Sequence, residues 1–354
     1  MARQALVTCA VAVALAACSS SGSQPSSALA PSSNAAERGM VPAPVAKSVS
    51  KLDVNHRKSW ISPDALGVPR LLFISDYGAS DVDIFTMPAL ALKGQITGLT
   101  DPEGMCADAK GNIWIANTGA EEMEQYSRTG TLLKTLSVPD EFPASCAVNK
   151  SNNDLAVANI ENTSGGAGDI MIFANASGSG TSYTNSSIDE YFFIGYDPNG
   201  NLFIDGTNST RASSYFAELP AGSSSIELIT LSGGTLHLAG FVQWYTPGSY
   251  VALGDQQCGG TGASCVYWVT VSGSAGTITA TTDLTNYEGG QVCDLVQGVI
   301  AADRQKYLAG PDYESCGYTA STVYRWPYEA GGSPTNYNDG ESLVEPIGAA
   351  VSTK

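Results

Sequence analysis

The sequence predicts an all-β fold, a six-bladed β-propeller of four-stranded antiparallel blades, with the ring closed by the C-terminal strand joining the N-terminal blade. Three observations predict it. Residues 101–138 read as four short strands divided by polar turns. The same unit recurs along the chain, with Cys106 and Cys146 at like positions of successive units 40 residues apart. The two ends of the chain each supply part of one further unit.

The clearest unit begins at Asp101-Pro-Glu-Gly-Met-Cys-Ala107. Met105 to Ala107 is its first strand, stopped by the polar Asp108-Ala-Lys-Gly-Asn112 turn. Ile113-Trp-Ile-Ala116 is the second, with Ile113 and Ile115 on one face and Trp114 on the other. Glu122 to Ser127 is the third, and the Arg128-Thr-Gly130 turn leads into Thr131 to Val138 as the fourth. The next unit starts at Phe142-Pro-Ala-Ser-Cys-Ala147 and continues through Asp154 to Ala158 and Gly168 to Phe173. Another starts at Tyr191, with Asp197-Pro-Asn-Gly-Asn201 standing where Asp108-Ala-Lys-Gly-Asn112 stood, and ends in Ser214 to Leu219 and Ser225 to Leu231. Leu236 to Tyr245, Tyr250 to Leu253, Cys265 to Val271 and Thr277 to Leu284 form the unit after that. Gln291 to Ile300, Lys306 to Ala309 and Thr322 to Trp326 belong to the last.

Near the N-terminus, Arg70 to Ser75, Val82 to Thr86 and Lys93 to Leu99 match a second, third and fourth strand, and no first strand precedes them. Pro346 to Ser352 supplies it, and this pairing removes the ring's open sheet edges. Trp114, Trp244, Trp268 and Trp326 are expected to pack between blades.

Residues 1–17 read as a lipoprotein signal peptide, with basic Arg3 ahead of an apolar run, Ala5 to Ala14, too short to span a membrane. Leu15-Ala-Ala-Cys18 resembles the bacterial lipobox, which makes Cys18 the acylated anchor. Residues 18–55 are rich in Ser, Ala and Pro and read as a disordered tether, leaving 56–354 for the propeller. The expected location is extracytoplasmic in the bacterial cell envelope, with the lipid as the contact to the membrane. A net charge of −17 argues against nucleic acid and against an anionic membrane face as partners. A monomer is expected.

Beyond Cys9 and Cys18, six cysteines remain, and outside the cytoplasm an even set predicts disulfides. Cys258 and Cys265 flank a Gly-rich turn, Cys106 and Cys146 begin successive units, and Cys293 and Cys316 are left over. Sequence does not decide among the roughly 15 pairings that six cysteines allow. With no CxxC spacing, and with His56 and His237 as the only histidines, the chain offers no zinc set.

Pro102-Glu-Gly-Met-Cys-Ala-Asp-Ala-Lys-Gly-Asn-Ile-Trp-Ile-Ala116, with Ala144-Ser-Cys146 after it, resembles the NHL-repeat and senescence-marker/gluconolactonase-like propellers. The latter family reads Pro-Asp-Gly-Met, then a Cys and a Gly-containing turn. The resemblance implies Ca²⁺ or another divalent cation in the central channel, held by the Asp after Pro and polarising a lactone carbonyl for attack by water. Glu103 stands at the position of that Asp, Glu190 corresponds to the family's other glutamate, and Ile347 stands where the family has an Asn. Glu103 therefore reads either as a metal ligand or as a polar residue of the channel rim.

Asp76, Asn117, Asn159, Asp205, Asp255 and Asp312 recur just after second strands, as a cation-binding rim or as turn residues that bond their own backbone. No Ser-His-Asp set, Gly-x-Ser-x-Gly elbow or phosphate loop stands out. Two functions are therefore expected to compete. One is a binding or scaffold module for a protein or glycan, using insertions such as Glu161 to Gly168 and Gln256 to Ser264. The other is a metal-dependent lactonase centred on Glu103.

Overall fold

Short strands bounded by Asp, Asn and Gly turns dominate the computed structural model, which describes residues 58–301, 306–313, 321–339 and 343–354. Among the described residues the strands fall into six four-stranded groups. In blades two to six the chain passes from the inner strand outward by antiparallel neighbours, and in blade one the inner strand comes from the far end of the sequence.

Blade one joins Pro346–Thr353 to Arg70–Asp76, Asp81–Thr86 and Leu92–Thr97, with the short Trp60–Ile61 added at its outer edge. Blade two is Pro102–Ala107, Ile113–Asn117, Glu122–Tyr126 and Leu132–Ser137, and blade three is Glu141–Val148, Leu155–Asn162, Ile170–Phe173 and Thr181–Tyr183. Blade four is Glu190–Tyr196, Leu202–Thr207, Ser214–Leu219 and Glu227–Ser232. Blade five is Ala239–Tyr245, Tyr250–Asp255, Cys265–Ser272 and Ala275–Asp283. Blade six is Val299–Ala301, Tyr307–Asp312, Thr322–Pro327 and Asn336–Asn338. The outer strands of blades four and five also pair, in parallel, through Thr230↔Ala275 to Ser232↔Thr277.

The predicted closure is present: Pro346–Thr353 runs antiparallel to Arg70–Asp76, from Arg70↔Thr353 to Asp76↔Pro346. Inner strands touch in ring order, blade one on two, two on three, and so on to blade six on one.

Two expected inner strands are shorter than the sequence implied. Gln291 to Ile300 is a strand only over Val299–Ala301. Ahead of it, the Cys293 and Asp294 N–H groups donate to Asp312 (3.3 and 3.0 Å), and Leu295 N–H donates to Ser264 Oγ (3.2 Å), so no ladder forms. Leu236 to Tyr245 likewise begins at Ala239, because Asp255 accepts from the N–H groups of His237 and Leu238, both at 3.0 Å. Cys18, Cys316, His56 and the predicted signal and tether lie outside the described residues, the tether's expected end at 55 included.

Burial follows from strand alternation. Ile113 and Ile115 face blade one, where they pack with Phe73, Val82 and Ile84, while Trp114 faces blade three, with Val157 and Phe173. Every sheet is thus covered on both faces, and Arg70–Asp76 is buried at every position after the first. Two disulfides follow the expected pairs: Cys106–Cys146 joins the inner strands of blades two and three, and Cys258–Cys265 closes the hairpin of blade five. Cys293 is disulfide-bonded as well.

An inner strand has a second edge that faces the channel and has no strand to pair with. Side-chain amides and hydroxyls fill that role. Gln297 Oε1 accepts from the N–H groups of Met105 (2.9 Å) and Ala349 (3.0 Å), and its Nε2 donates to Met105 O (2.9 Å). One buried side chain thereby ties blades six, one and two together. Gln243 does the same between blades five and six, donating to Ile300 O (2.7 Å) and accepting from Ile300 N–H (2.8 Å). Glycine permits the close approach: a Cβ on Gly104 would lie 2.6 Å from Ala144 O.

Gln297→Leu removes these bonds and leaves buried N–H and C=O groups unpaired, so unfolding free energy from urea titration is expected to fall by about 3 kcal/mol. Replacing Cys106 and Cys146 together by Ser is expected to cost about 4 kcal/mol by release of the loop between them.

Candidate functional site

Each blade's second strand carries an Asp or Asn at or near its end, and Asp76, Asn117, Asn159, Asp205, Asp255 and Asp312 are all buried. Their role differs from both sequence readings. Asp76 accepts from Val344 (2.6 Å) and Glu345 (2.8 Å), Asn117 Oδ1 from Thr100 (2.7 Å) and Asp205 from Phe193 (2.7 Å). With Asp255 and Asp312 as above, five of the six positions clamp the backbone that leads into, or begins, the inner strand of their own blade. Asn159 instead donates to Asp169 Oδ1 (2.6 Å). Bonds to the following turn are secondary, as in Ala79 N–H to Asp76 (3.1 Å) and Gln257 N–H to Asp255 (2.9 Å).

The same end of the channel is acidic. Glu103, Glu141 and Glu190 lie at the first residues of inner strands, Glu161 lies near the end of a second strand, and Asp101 and Glu345 just precede inner strands. Glu103 is 1% exposed, and neither carboxylate oxygen has a hydrogen-bond partner among the described residues. Burial holds its pKa well above the usual carboxylate range; Asp101 and Glu345 add to this, and Arg211 opposes it. Glu190 is differently placed, since its Oε2 pairs with Arg211 Nε at 2.7 Å and accepts from Thr207 Oγ1 at 3.2 Å. Arg211, which pairs with Glu190, is within electrostatic reach of Glu103 as well. Ile347, 4% exposed, packs in the apolar core and offers no ligating atom.

A divalent ion needs several oxygen ligands at once. Among the described residues no three Asp, Glu, His or Cys gather closely enough to supply them. Glu190 is committed to Arg211, so the residues present do not fit the ion that the resemblance implies.

The opposite end of the channel is built differently. There a cavity of about 380 Å³ is lined by the inner strands toward their last residues, and its lining includes Tyr196, Trp244, the cystine of Cys106 and Cys146, Arg70, Lys150 and Asp108. Trp244 packs between blades as expected, stacking on Phe203 with ring centroids 6.0 Å apart, and this half-buried residue is also among the cavity's lining. Trp114 and Trp326 are fully buried, as expected of packing residues, and Trp268 stacks on Tyr250 at 4.9 Å.

His237, isolated in sequence, has its Nδ1 3.4 Å from Asp255 Oδ2. That carboxylate is already occupied by the N–H groups of His237, Leu238 and Gln257, which makes it a loop clamp. Arg211, Gln243 and Gln297 are the residues that sequence reasoning missed. Gln residues within apolar strands carry no motif, and Arg211 lies in a Ser- and Thr-rich turn that reads as ordinary loop.

Glu141 carries a pH prediction. Burial, then Asp169 and Asp140, push its pKa up to about 8, so the folded chain holds a proton that the unfolded chain releases near the ordinary glutamate value. Its contribution to stability is full below that ordinary value and is lost as pH rises toward about 8. Melting curves of Glu141→Gln from acidic to mildly alkaline pH are expected to decline less steeply than wild type across that window.

Comparison with known proteins agrees with this architecture. Residues 80–160 match the SMP-30/Gluconolactonase/LRE-like region. No curated protein matches the chain. Among solved structures it is similar to a chain of a nidogen/laminin complex, with 10% identity, TM-score 0.60, and coverage of 80% of this chain and 98% of that one. It is also similar to a protein of unknown function from Bacteroides caccae, with 13% identity, TM-score 0.58, and coverage of 81% and 100%. Such identities speak to fold alone. The chain has a β-propeller fold, and residues 80–160 of it match the SMP-30/Gluconolactonase/LRE-like region.

Proposed function

We propose that this protein is an exported, lipid-anchored binding module that takes a glycan in the cavity at the C-terminal ends of its inner strands. The observation that carries the reading is a cavity of about 380 Å³ whose lining includes two half-buried aromatic residues, Tyr196 and Trp244. An aromatic face packs against the apolar face of a sugar ring, and Arg70 and Lys150 in the lining offer polar groups for its hydroxyls. Export and anchoring are supported by the leader that ends in Cys18 and by the paired cysteines.

The competing reading, a metal-dependent lactonase, uses the other end of the channel. It requires a divalent ion at Glu103 and Glu190, and Arg211 already neutralises Glu190. Stoichiometric metal by elemental analysis, together with lactone hydrolysis lost in Glu103→Ala, would favour that reading.

The module is tested by calorimetric titration with a panel of neutral and acidic mono- and disaccharides. Binding is expected, with Trp244→Ala weakening it at least ~30-fold, as loss of a buried aromatic anchor does. Lys150→Ala, at an exposed position, serves as a second variant whose fold is not at stake. A panel without a binder, or a Trp244→Ala protein of normal affinity, sinks the glycan reading.

A further inference from the structure

The acidic end of the channel contains its own cation. Arg211 lies in the turn between Leu202–Thr207 and Ser214–Leu219, with φ at 53°, in the left-handed region that favours glycine. Its N–H closes the turn on Asn208 O at 2.8 Å. An arginine persists in such a conformation when its side chain gains enough to offset the backbone cost of roughly 1 kcal/mol. Here the side chain leaves the solvent. It lies with its carbon Cζ 5.7 Å from the Phe192 ring centroid and bonds Glu190 through Nε at 2.7 Å, the two side chains being 14% and 12% exposed. The guanidinium also acts on Glu103 and Glu161, lowering the pKa of each against the effect of burial. Glu103 and Glu161 each present a buried carboxylate oxygen without a hydrogen-bond partner among the described residues.

We propose that Arg211 is a tethered cation that takes the place of a divalent metal at this end of the channel by neutralising Glu190. The position is fixed by the turn and the planar group is held between Phe192 and Glu190, so the charge is covalently part of the ring. A guanidinium keeps its charge at all physiological pH and loses less than an ammonium on leaving water, which suits it to a buried acidic site. The proposal is independent of what the opposite cavity binds, since it concerns the residues at the starts of the inner strands.

Terbium luminescence and melting provide the test, with Tb³⁺ and Ca²⁺ as probes and Tyr77, which feels the charge of Glu103, as the sensitising ring. Wild type is expected to give no saturable Tb³⁺ signal and no melting shift in millimolar Ca²⁺. Arg211→Gly suits the left-handed backbone and removes the cation. With Glu190 released from the guanidinium and able to turn toward an ion, the variant is expected to gain a saturable signal, competed by Ca²⁺ and abolished by adding Glu190→Gln, together with a Ca²⁺-dependent rise of several degrees in melting temperature. Arg211→Lys restores the charge and is expected to behave like wild type. An Arg211→Gly protein that folds only in Ca²⁺ gives the same answer. Saturation of wild type at a site lost in Glu190→Gln overturns the proposal. So does an Arg211→Gly protein that is folded by circular dichroism and takes up no ion.

Discussion

A ring of blades has a constraint that an open sheet lacks: every inner strand turns one backbone edge toward a channel where no further strand fits. The peptide groups on that edge still need partners, because a buried N–H or C=O left without one costs free energy comparable to a lost hydrogen bond. Gln297, Gln243, Ser75 and Ser145 supply those partners. Each reaches from one blade to the backbone of the next, Ser145 to Phe192 O and Ser75 to Glu103 O, with Gly348 N–H donating to Ser75 in return. The ring is therefore held at its axis by polar side chains and between its blades by apolar ones. Closure through the C-terminal strand works because Gln297 receives Ala349 on one side and Met105 on the other.

The two ends of the channel diverge from this shared frame. At the starts of the inner strands, carboxyl groups face a desolvated space and clamp the incoming chain, and their mutual repulsion is moderated by Arg211. At the far ends, small residues such as Ala107, Gly195 and Ala349 leave room for a cavity, and Arg70 and Lys150 lie in its lining. Carboxyl groups thus gather around Arg211 at one mouth, whereas Arg70 and Lys150 line the other together with Asp108.

Much of this fold was legible in the sequence because the determinants repeat. Asp108-Ala-Lys-Gly-Asn112 and Asp197-Pro-Asn-Gly-Asn201 form the same turn, with the first Asp accepting from the N–H of the closing Asn at 2.8 and 2.9 Å, so one unit could be aligned on another. The disulfide between Cys106 and Cys146 and the missing strand at Pro346 followed from the same alignment. Glu103 and Glu190 were singled out by resemblance, and of the two Glu190 is paired with Arg211 while Glu103 is buried without a hydrogen-bond partner among the described residues. What was not legible depended on contacts distant in sequence. Gln297 is recognisable only beside Met105, 192 positions away, and the shortening of the strand before Val299 comes from bonds to Asp312 and Ser264. The shared Asp and Asn positions were seen, but their acceptors lie in incoming loops that no local turn rule describes.

Blades four and five share one continuous eight-stranded sheet through the parallel pairing of their outer strands, whereas each of the other sheets belongs to one blade. Other neighbours join their outer parts by isolated contacts, such as Leu284↔Gly332 between blades five and six, Lys134 Nζ to Ala176 O between two and three, and Asn338 to Leu90 O between six and one. A disturbance that loosens the outer edge of blade four therefore cannot stop at that blade, because Thr230 to Ser232 would leave Ala275 to Thr277 with bare peptide groups. Opening the rim at this one junction costs ladder hydrogen bonds in two blades at once.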